Sequence, residues 1–299
     1  MAKGDKALWS KAQEIDFFKK ALDVASPEKL FYKTESNEYF AYWPKTYKSK
    51  KDNDAVQSRN SFIGAYTEKW AQGILTDVAK ELKAHALTKV VCEELSLPRA
   101  SAADVAICKT DSIVQKHENI IAIFEVKMSV VWNWQLEKLK PPDIKCIGDY
   151  KTHRGTPGML RSDTMLKAIG KSINVRLSSK HAAKIPIIVL GNTPIQESYY
   201  KKVDTLKSYG IIQGFWSLNP KPLDSGKETI KATEGKGFIR FDKYGDFKQE
   251  LLSMLETDLQ FFAGMKPKDE LGKFIEIADK ETTYEKKATK LLDLIVKAD

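Results

Sequence analysis

The sequence predicts an α/β fold, a mixed central sheet flanked by helices. Three observations predict it. The periodicities through the middle of the chain run helix, three strands, helix, strand. Two of those strands, IIAIFEVKM at 120–128 and IPIIVL at 185–190, are almost wholly apolar, as buried strands are. The chain has 299 residues, 42% hydrophobic and 30% charged, which gives one large domain a sizeable core.

The elements follow in order. Residues 7–25 read as an amphipathic helix with Leu8, Ile15, Phe18, Leu22 and Val24 among its apolar positions. Residues 31–54 alternate aromatics (Tyr39, Phe40, Tyr42, Trp43, Tyr47) with lysines (Lys45, Lys48, Lys50, Lys51). Two readings of that stretch stay open. It is an arm that stacks on bases and pairs with phosphates, or a short hairpin followed by a mobile loop. Residues 61–85 predict a helix, and 88–95, 104–109 and 120–128 predict strands, the last two joined by a polar turn at 110–119. Residues 130–158, rich in Trp, Pro, Gly and Lys, read as irregular. A helix over 164–178 follows, with Ser162 and Asp163 as natural N-caps. Beyond the strand at 185–190 come a helix at 198–208, strands at 211–218 and 237–241, and helices at 246–263 and 270–296. The chain thus divides into an N-terminal helix and basic, aromatic arm (1–60), a core (61–218), and a C-terminal strand with helices (219–299).

The formal charge is +9. It is not spread evenly: residues 127–184 hold 12 basic and 4 acidic side chains, and the rest of the chain 37 and 36. That concentration favours a polyanionic partner, against the plainer reading of a lysine-rich solvated surface. Residues 1–10 hold no apolar stretch of the kind a secretory signal needs, and no run approaches the length of a membrane span. Cys92, Cys108 and Cys146 are odd in number and widely spaced, as reduced intracellular thiols are. His85, His117, His153 and His181 lack zinc-ligand spacing. The absence of a Walker loop, a Rossmann glycine fingerprint and a Gly-x-Ser-x-Gly elbow argues against a nucleotide-driven motor, a dehydrogenase and an α/β hydrolase.

The strand at 120–128 contains Glu125 and Lys127 in an otherwise apolar run, two residues apart and so on one face. Holding both there costs desolvation energy, and chemistry is one reason to keep them. Acidic-x-Lys spacing alone is weak: Asp143-Ile144-Lys145, Glu234-Gly235-Lys236 and Glu285-Lys286-Lys287 share it outside any apolar strand. Asp104 opens the preceding strand, DVAICK. A hairpin centred between residues 114 and 115 sets it opposite Glu125. Two carboxylates at a sheet end suit Mg²⁺, a hard cation that takes oxygen ligands and keeps several waters. A neighbouring lysine can orient water or stabilise charge on a transferring phosphate. The alternative is a structural ion pair.

Asp104 followed by Glu125-Val126-Lys127, on the order helix–three strands–helix–strand, resembles the signature of the PD-(D/E)xK nuclease superfamily over about residues 61–192. One departure is Ala103, where that family carries Pro. The resemblance implies a restriction-endonuclease-like core, with Asp104 and Glu125 as Mg²⁺ ligands and Lys127 beside the attacking water. It further implies a Glu on the preceding helix that helps hold metal. Glu68 matches, on the stripe Glu68, Ala71, Leu75, Val78, Leu82, with Glu93 and Glu94 as rivals. It also sets the helix at 164–178 beside the site, with a polar stripe of Lys167, Lys171 and Asn174 and an apolar stripe of Leu166, Ile169, Ile173 and Leu177. Arg161 at that helix start and Lys167 and Lys171 along it are expected DNA contacts. Arg154 and Lys151, in the basic loop with His153, are expected there too, Arg154 as a base reader. Trp132 and Trp134 belong to that loop or to the core.

Within the family, a chain with these added terminal parts most resembles a type II restriction endonuclease. That implies double-stranded DNA as substrate, 5′-phosphate and 3′-hydroxyl ends, a homodimer matched to a symmetric site, and the cytoplasm of a prokaryotic cell. Alternatives are a structure-selective or repair DNA nuclease, a non-catalytic DNA-binding protein and, ranked lowest, an RNA-directed nuclease.

Overall fold

The computed structural model describes residues 6–46, 57–256 and 268–297. The elements are α1 (Lys11–Leu22), β1 (Tyr32–Lys33), β2 (Tyr39–Phe40), α2 (Gln57–Glu81), β3 (His85–Val90), β4 (Ala103–Cys108) and β5 (Ile120–Lys127). Then come β6 (Asn133–Leu139), β7 (Pro142–Gly148), α3 (Ser162–Ser178), β8 (Ile187–Gly191), α4 (Tyr200–Ser208), β9 (Gly214–Ser217) and β10 (Phe238–Arg240). The helices α5 (Tyr244–Glu256), α6 (Lys268–Ala278) and α7 (Tyr284–Lys297) close the described chain.

Six strands form a mixed sheet in the order β10-β9-β8-β5-β4-β3, so the fold is α/β. β3, β4 and β5 pair antiparallel, while β5, β8, β9 and β10 run parallel. β8 and β9 are buried along their whole length, which is why they read as apolar runs. On one face Val105, Ile107, Ala122, Phe124, Ile188 and Trp216 pack with Ile74, Leu75 and Val78 of α2, with α1 and with α5. On the other, Ile123 and Ile187 pack with Val175 of α3, and Val189 and Phe215 with Met165 and Ala168 of α3 and Val203 of α4. Helices therefore cover both faces.

Two sequence expectations change inside the core. Residues 133–148 are not irregular: β6 and β7 form a hairpin that joins β1 and β2 in a second sheet, ordered β1-β2-β6-β7. Its half-exposed, lysine-rich strands carry too few apolar positions to show a period. Trp132 and Trp134 are buried core anchors, and the Trp134 indole donates to Glu14, 2.8 Å away. Glu14 is itself buried and also accepts from Trp9 Nε1, Val131 N and Trp132 N.

α3 lies one residue off the expected rotation. Its buried positions are Met165, Ala168, Ser172, Val175 and Arg176, while Leu166 and Leu177 face solvent at 61% and 77% exposure. The helix begins at Ser162, so neither Ser162 nor Asp163 caps it. Arg161 is the N-cap residue, without a side-chain cap bond, and its guanidinium pairs with Asp163.

Residues 31–46 contain the short hairpin β1–β2; Tyr47, Lys48, Lys50 and Lys51 lie outside the described residues, as does 257–263 of the helix expected over 246–263. The single helix expected over 270–296 is two, broken after Ala278 and restarted where Thr283 Oγ1 accepts from Lys286 N. Among the described residues no helix is long and apolar enough to cross a membrane.

Candidate active site

The C-terminal end of β5, the start of β4 and the middle of α3 meet at one end of the strands of the six-stranded sheet. The pairs Val105↔Phe124 and Ala106↔Ile123 set the β4–β5 register, and that register carries Asp104 to the position opposite Glu125. Asp104 Oδ2 takes the backbone N–H of Val126 at 2.8 Å, which locks the carboxylate to the neighbouring strand. Period-two alternation then points Glu125 and Lys127 to the same face, toward α3. The Lys127 ammonium lies 2.5 Å from Glu125 Oε1 and 3.5 Å from Asp104 Oδ2, and donates to the Val126 carbonyl at 3.3 Å.

α3 completes the cluster with Lys171. Its ammonium bridges Glu125 Oε2 at 2.7 Å and Asp104 Oδ1 at 3.2 Å, and donates to the Ala102 carbonyl at 2.8 Å. The helix is fixed at both ends. Before it, Met159 N donates to Thr193 Oγ1 beyond β8, and Gly158 adopts φ +53°, where a side chain would be strained. Gly191, the register partner of Lys127, leaves the space that the Met159 thioether fills; a Cβ there would meet it at 2.3 Å. Toward its other end, the buried Arg176 guanidinium donates to the carbonyls of Ile211, Ala182 and Ile185 and to Gln213 Oε1. Burial lowers the Arg176 pKa to about 10, which still leaves it charged at neutral pH.

The cluster is balanced in charge and largely desolvated. Glu125 is 6% exposed at its side chain, and Asp104, Lys127 and Lys171 between 17% and 20%. Burial lowers the Lys171 pKa, but the Glu125 and Asp104 carboxylates outweigh it and raise the value above that of an ordinary lysine. Glu68 stands apart. It is half-buried on α2, where its stripe neighbours Ala71, Leu75 and Val78 are fully buried, and it makes no ion pair with the cluster. Burial first, and then the Asp104 charge, raise the Glu68 carboxyl, while Lys89, Lys171 and Lys127 restrain the rise.

Two clefts open beside the cluster. One, of about 660 Å³, is lined by Glu68, Lys89, Arg99, Asp104, Ile113, Val114 and Lys171. The other, of about 720 Å³, is lined by Lys127, Arg154, Arg161, Lys167, Tyr32 and Trp43 among others. Arg154, Arg161 and Lys167 therefore share a wall with Lys127. Lys151 lies over the Tyr150 ring and does not line either cleft. Of the rivals to Glu68, Glu94 accepts from His117 through both backbone N and Nδ1, and His117 stacks on His181. Glu93 is exposed, and neither residue borders the two clefts.

Sequence reasoning assigned Lys171 to DNA contact and missed its two carboxylate partners. Spacing along α3 alone cannot show what faces position 171. It also missed Lys89. The pairs Thr88↔Val105 and Val90↔Ala103 bracket Lys89 against Asp104, and Lys89 itself takes φ +55°. All three cysteines are free thiols.

Among the described residues no group of three or more His, Cys, Asp or Glu side chains is close enough to hold a metal ion. The donors that do converge are carboxylate oxygens of Asp104 and Glu125 and the Val126 carbonyl, all hard oxygens. Such a set fits Mg²⁺, which binds through one or two carboxylates and completes its shell with water and substrate phosphate. It does not fit the thiolate and imidazole preferences of structural zinc. No protein-family model matches the chain, and no curated protein or solved structure matches it either.

Proposed function

We propose that this chain is a metal-dependent endonuclease of the PD-(D/E)xK kind, with a restriction-endonuclease-like core, that hydrolyses phosphodiester bonds of double-stranded DNA. The observation that carries the reading is the meeting of Asp104 and Glu125, from two strands, with Lys127 at one sheet end. Asp104 and Glu125 hold Mg²⁺, and Glu68, on the wall of the same cleft, is the candidate third carboxylate. Bound Mg²⁺ supplies Lewis-acid stabilisation of charge on the phosphate and leaving oxygens. Lys127 orients the attacking water and stabilises phosphoryl charge through its ammonium. Arg154, Arg161 and Lys167 bind backbone phosphates along the neighbouring cleft, with Arg154 the candidate base reader. Lys151, outside the cleft, makes at most a peripheral phosphate contact.

A type II restriction role is the specific form we favour: a homodimer cutting both strands of a symmetric site, in a prokaryotic cytoplasm. The second reading is a structure-selective or repair nuclease on the same core. Incubation with unmodified plasmid DNA and Mg²⁺ separates them. Discrete fragments are expected; cutting confined to branched or damaged DNA supports the second reading, and no cutting with any divalent cation leaves a DNA-binding protein. Asp104→Ala and Glu125→Ala are each expected to lower cleavage by about a hundredfold or more while duplex binding in a gel shift persists. Cleavage surviving both substitutions would overturn the site assignment.

A further inference from the structure

Every oxygen of the two central carboxylates already has a donor. Asp104 Oδ2 takes Val126 N, Glu125 Oε1 takes Lys127, and the remaining two, Asp104 Oδ1 and Glu125 Oε2, are bridged by one ammonium, that of Lys171. An ammonium nitrogen 2.7 Å from Glu125 Oε2 and 3.2 Å from Asp104 Oδ1 fills the space between the two oxygens where a bridging divalent cation would sit. Mg²⁺ would sit about 2.1 Å from each oxygen it binds, and a cation bridging Asp104 Oδ1 and Glu125 Oε2 would need the position between them that the Lys171 ammonium fills, so the two compete for one place. Charge gives the same answer. Two carboxylates and two ammoniums sum to zero, and a divalent ion added without a departure leaves two uncompensated charges in a largely desolvated site.

The geometry points to Lys171 as the group that leaves: we propose that it is the resident counter-ion of the Asp104–Glu125 pair, displaced when a divalent cation enters. The inference rests on the metal reading given above. Lys127 is the poorer candidate. It grows from the same strand as Glu125, holds the shortest contact in the cluster and is tied to the Val126 carbonyl. Lys171 reaches in from a different element on a four-carbon stem with freely rotating bonds. It also borders the 660 Å³ cleft, where Glu68 offers a second anion and where a substrate phosphate would offer a third. The displaced ammonium is then a ligand for whichever anion enters the cleft. Metal entry and phosphate capture become coupled through one side chain, each favouring the other.

The test is Mn²⁺ binding to the full chain without DNA, followed by calorimetry and by the electron-spin signal of free Mn²⁺. Lys171→Met removes the competing ammonium and is expected to tighten Mn²⁺ binding at least tenfold over the unsubstituted chain. Lys201→Met, exposed on α4 and outside both clefts, is expected to leave it unchanged. Because Lys171→Met leaves two carboxylates facing one another, Lys171→Gln, which keeps a donor without the charge, is measured in parallel. Mn²⁺ should raise the melting temperature of Lys171→Gln by more than it raises that of the unsubstituted chain. Equal or weaker Mn²⁺ binding by both variants, with the unsubstituted chain still binding, overturns the displacement and leaves the nuclease reading standing. Tighter binding by the variants in a chain that cuts no DNA upholds the displacement and overturns the nuclease. Failure of all forms to bind Mn²⁺ overturns both.

Discussion

Glu14 and His153 are two buried titratable groups that pull stability in opposite directions. Burial raises the Glu14 carboxyl to about 7, although Trp134, Val131, Trp9 and Trp132 all donate to it and restrain the rise. The folded chain therefore holds that proton more tightly than the unfolded chain, whose value is 4.5. Stability from this group is full below about pH 4.5 and declines as pH rises through about 7. His153 stacks on Tyr42 at 4.0 Å and donates from Nε2 to the Val131 carbonyl, and burial lowers its pKa to about 4. Its contribution is full above about pH 6.5 and is lost as pH falls through about 4. The two slopes oppose one another between about pH 4.5 and 6.5 and cancel in part. In Glu14→Gln the loss of acceptor capacity is expected to destabilise the fold by about 2 kcal/mol. The same variant is expected to expose the histidine slope, so that urea midpoints climb with pH across that window. In His153→Phe, which keeps the stacking, they should fall. The same slope in both variants would show that neither group titrates as described.

At the scale of one element, α3 shows where a sequence stops being legible. Leu166, Ile169, Ile173 and Leu177 recur at helical spacing, yet Leu166 and Leu177 face water. The inner face instead carries Ala168 and Ser172, small enough for close approach, together with Arg176. Ser172 donates to the Ala168 carbonyl, and both the turn directly after the helix (Ala182, Ile185) and a distant segment (Ile211, Gln213) bring the acceptors for Arg176. No local pattern reports those partners. Leu177→Ala is therefore expected to change unfolding free energy by less than about 0.5 kcal/mol. Ala168→Leu should cost about 1–3 kcal/mol by overpacking, both read from chemical denaturation. A larger loss from Leu177→Ala would restore the expected stripe. β6 and β7 were hidden for a related reason: both are half-exposed, β7 at the edge of its sheet, and Pro142, Lys138 and Lys145 blur their alternation. By contrast β5 and β8 were legible because burial on both faces demands an unbroken apolar run. The Asp104–Glu125 pairing agrees with a hairpin centred between residues 114 and 115, although a bulge at Ile107/Cys108 lies between it and the turn, so the turn alone does not dictate it.

Over the whole molecule the basic segment 127–184 spans the end of β5, the hairpin β6–β7 and α3, and it supplies Arg154, Arg161 and Lys167 to one cleft. If duplex DNA lies there, its affinity falls with salt, and each lost phosphate contact lowers the slope of log affinity against log salt by about 0.9. Lys167→Ala and Arg161→Ala are each expected to do so in anisotropy titrations, while Lys290→Ala, on α7, should not. Equal effects from all three would place the DNA elsewhere. The paired charges of the cluster itself behave differently. Two anions and two cations alternating within 3.5 Å cancel one another beyond a few ångströms, so an approaching strand meets no repulsive far field from Asp104 and Glu125. Monovalent salt screens the long-range attraction of the cleft but weakens contacts this short and this buried far less. Raising monovalent salt should thus release a polyanion bound in the cleft and leave the Asp104–Glu125 cluster assembled, so docking and site integrity are separable by salt alone.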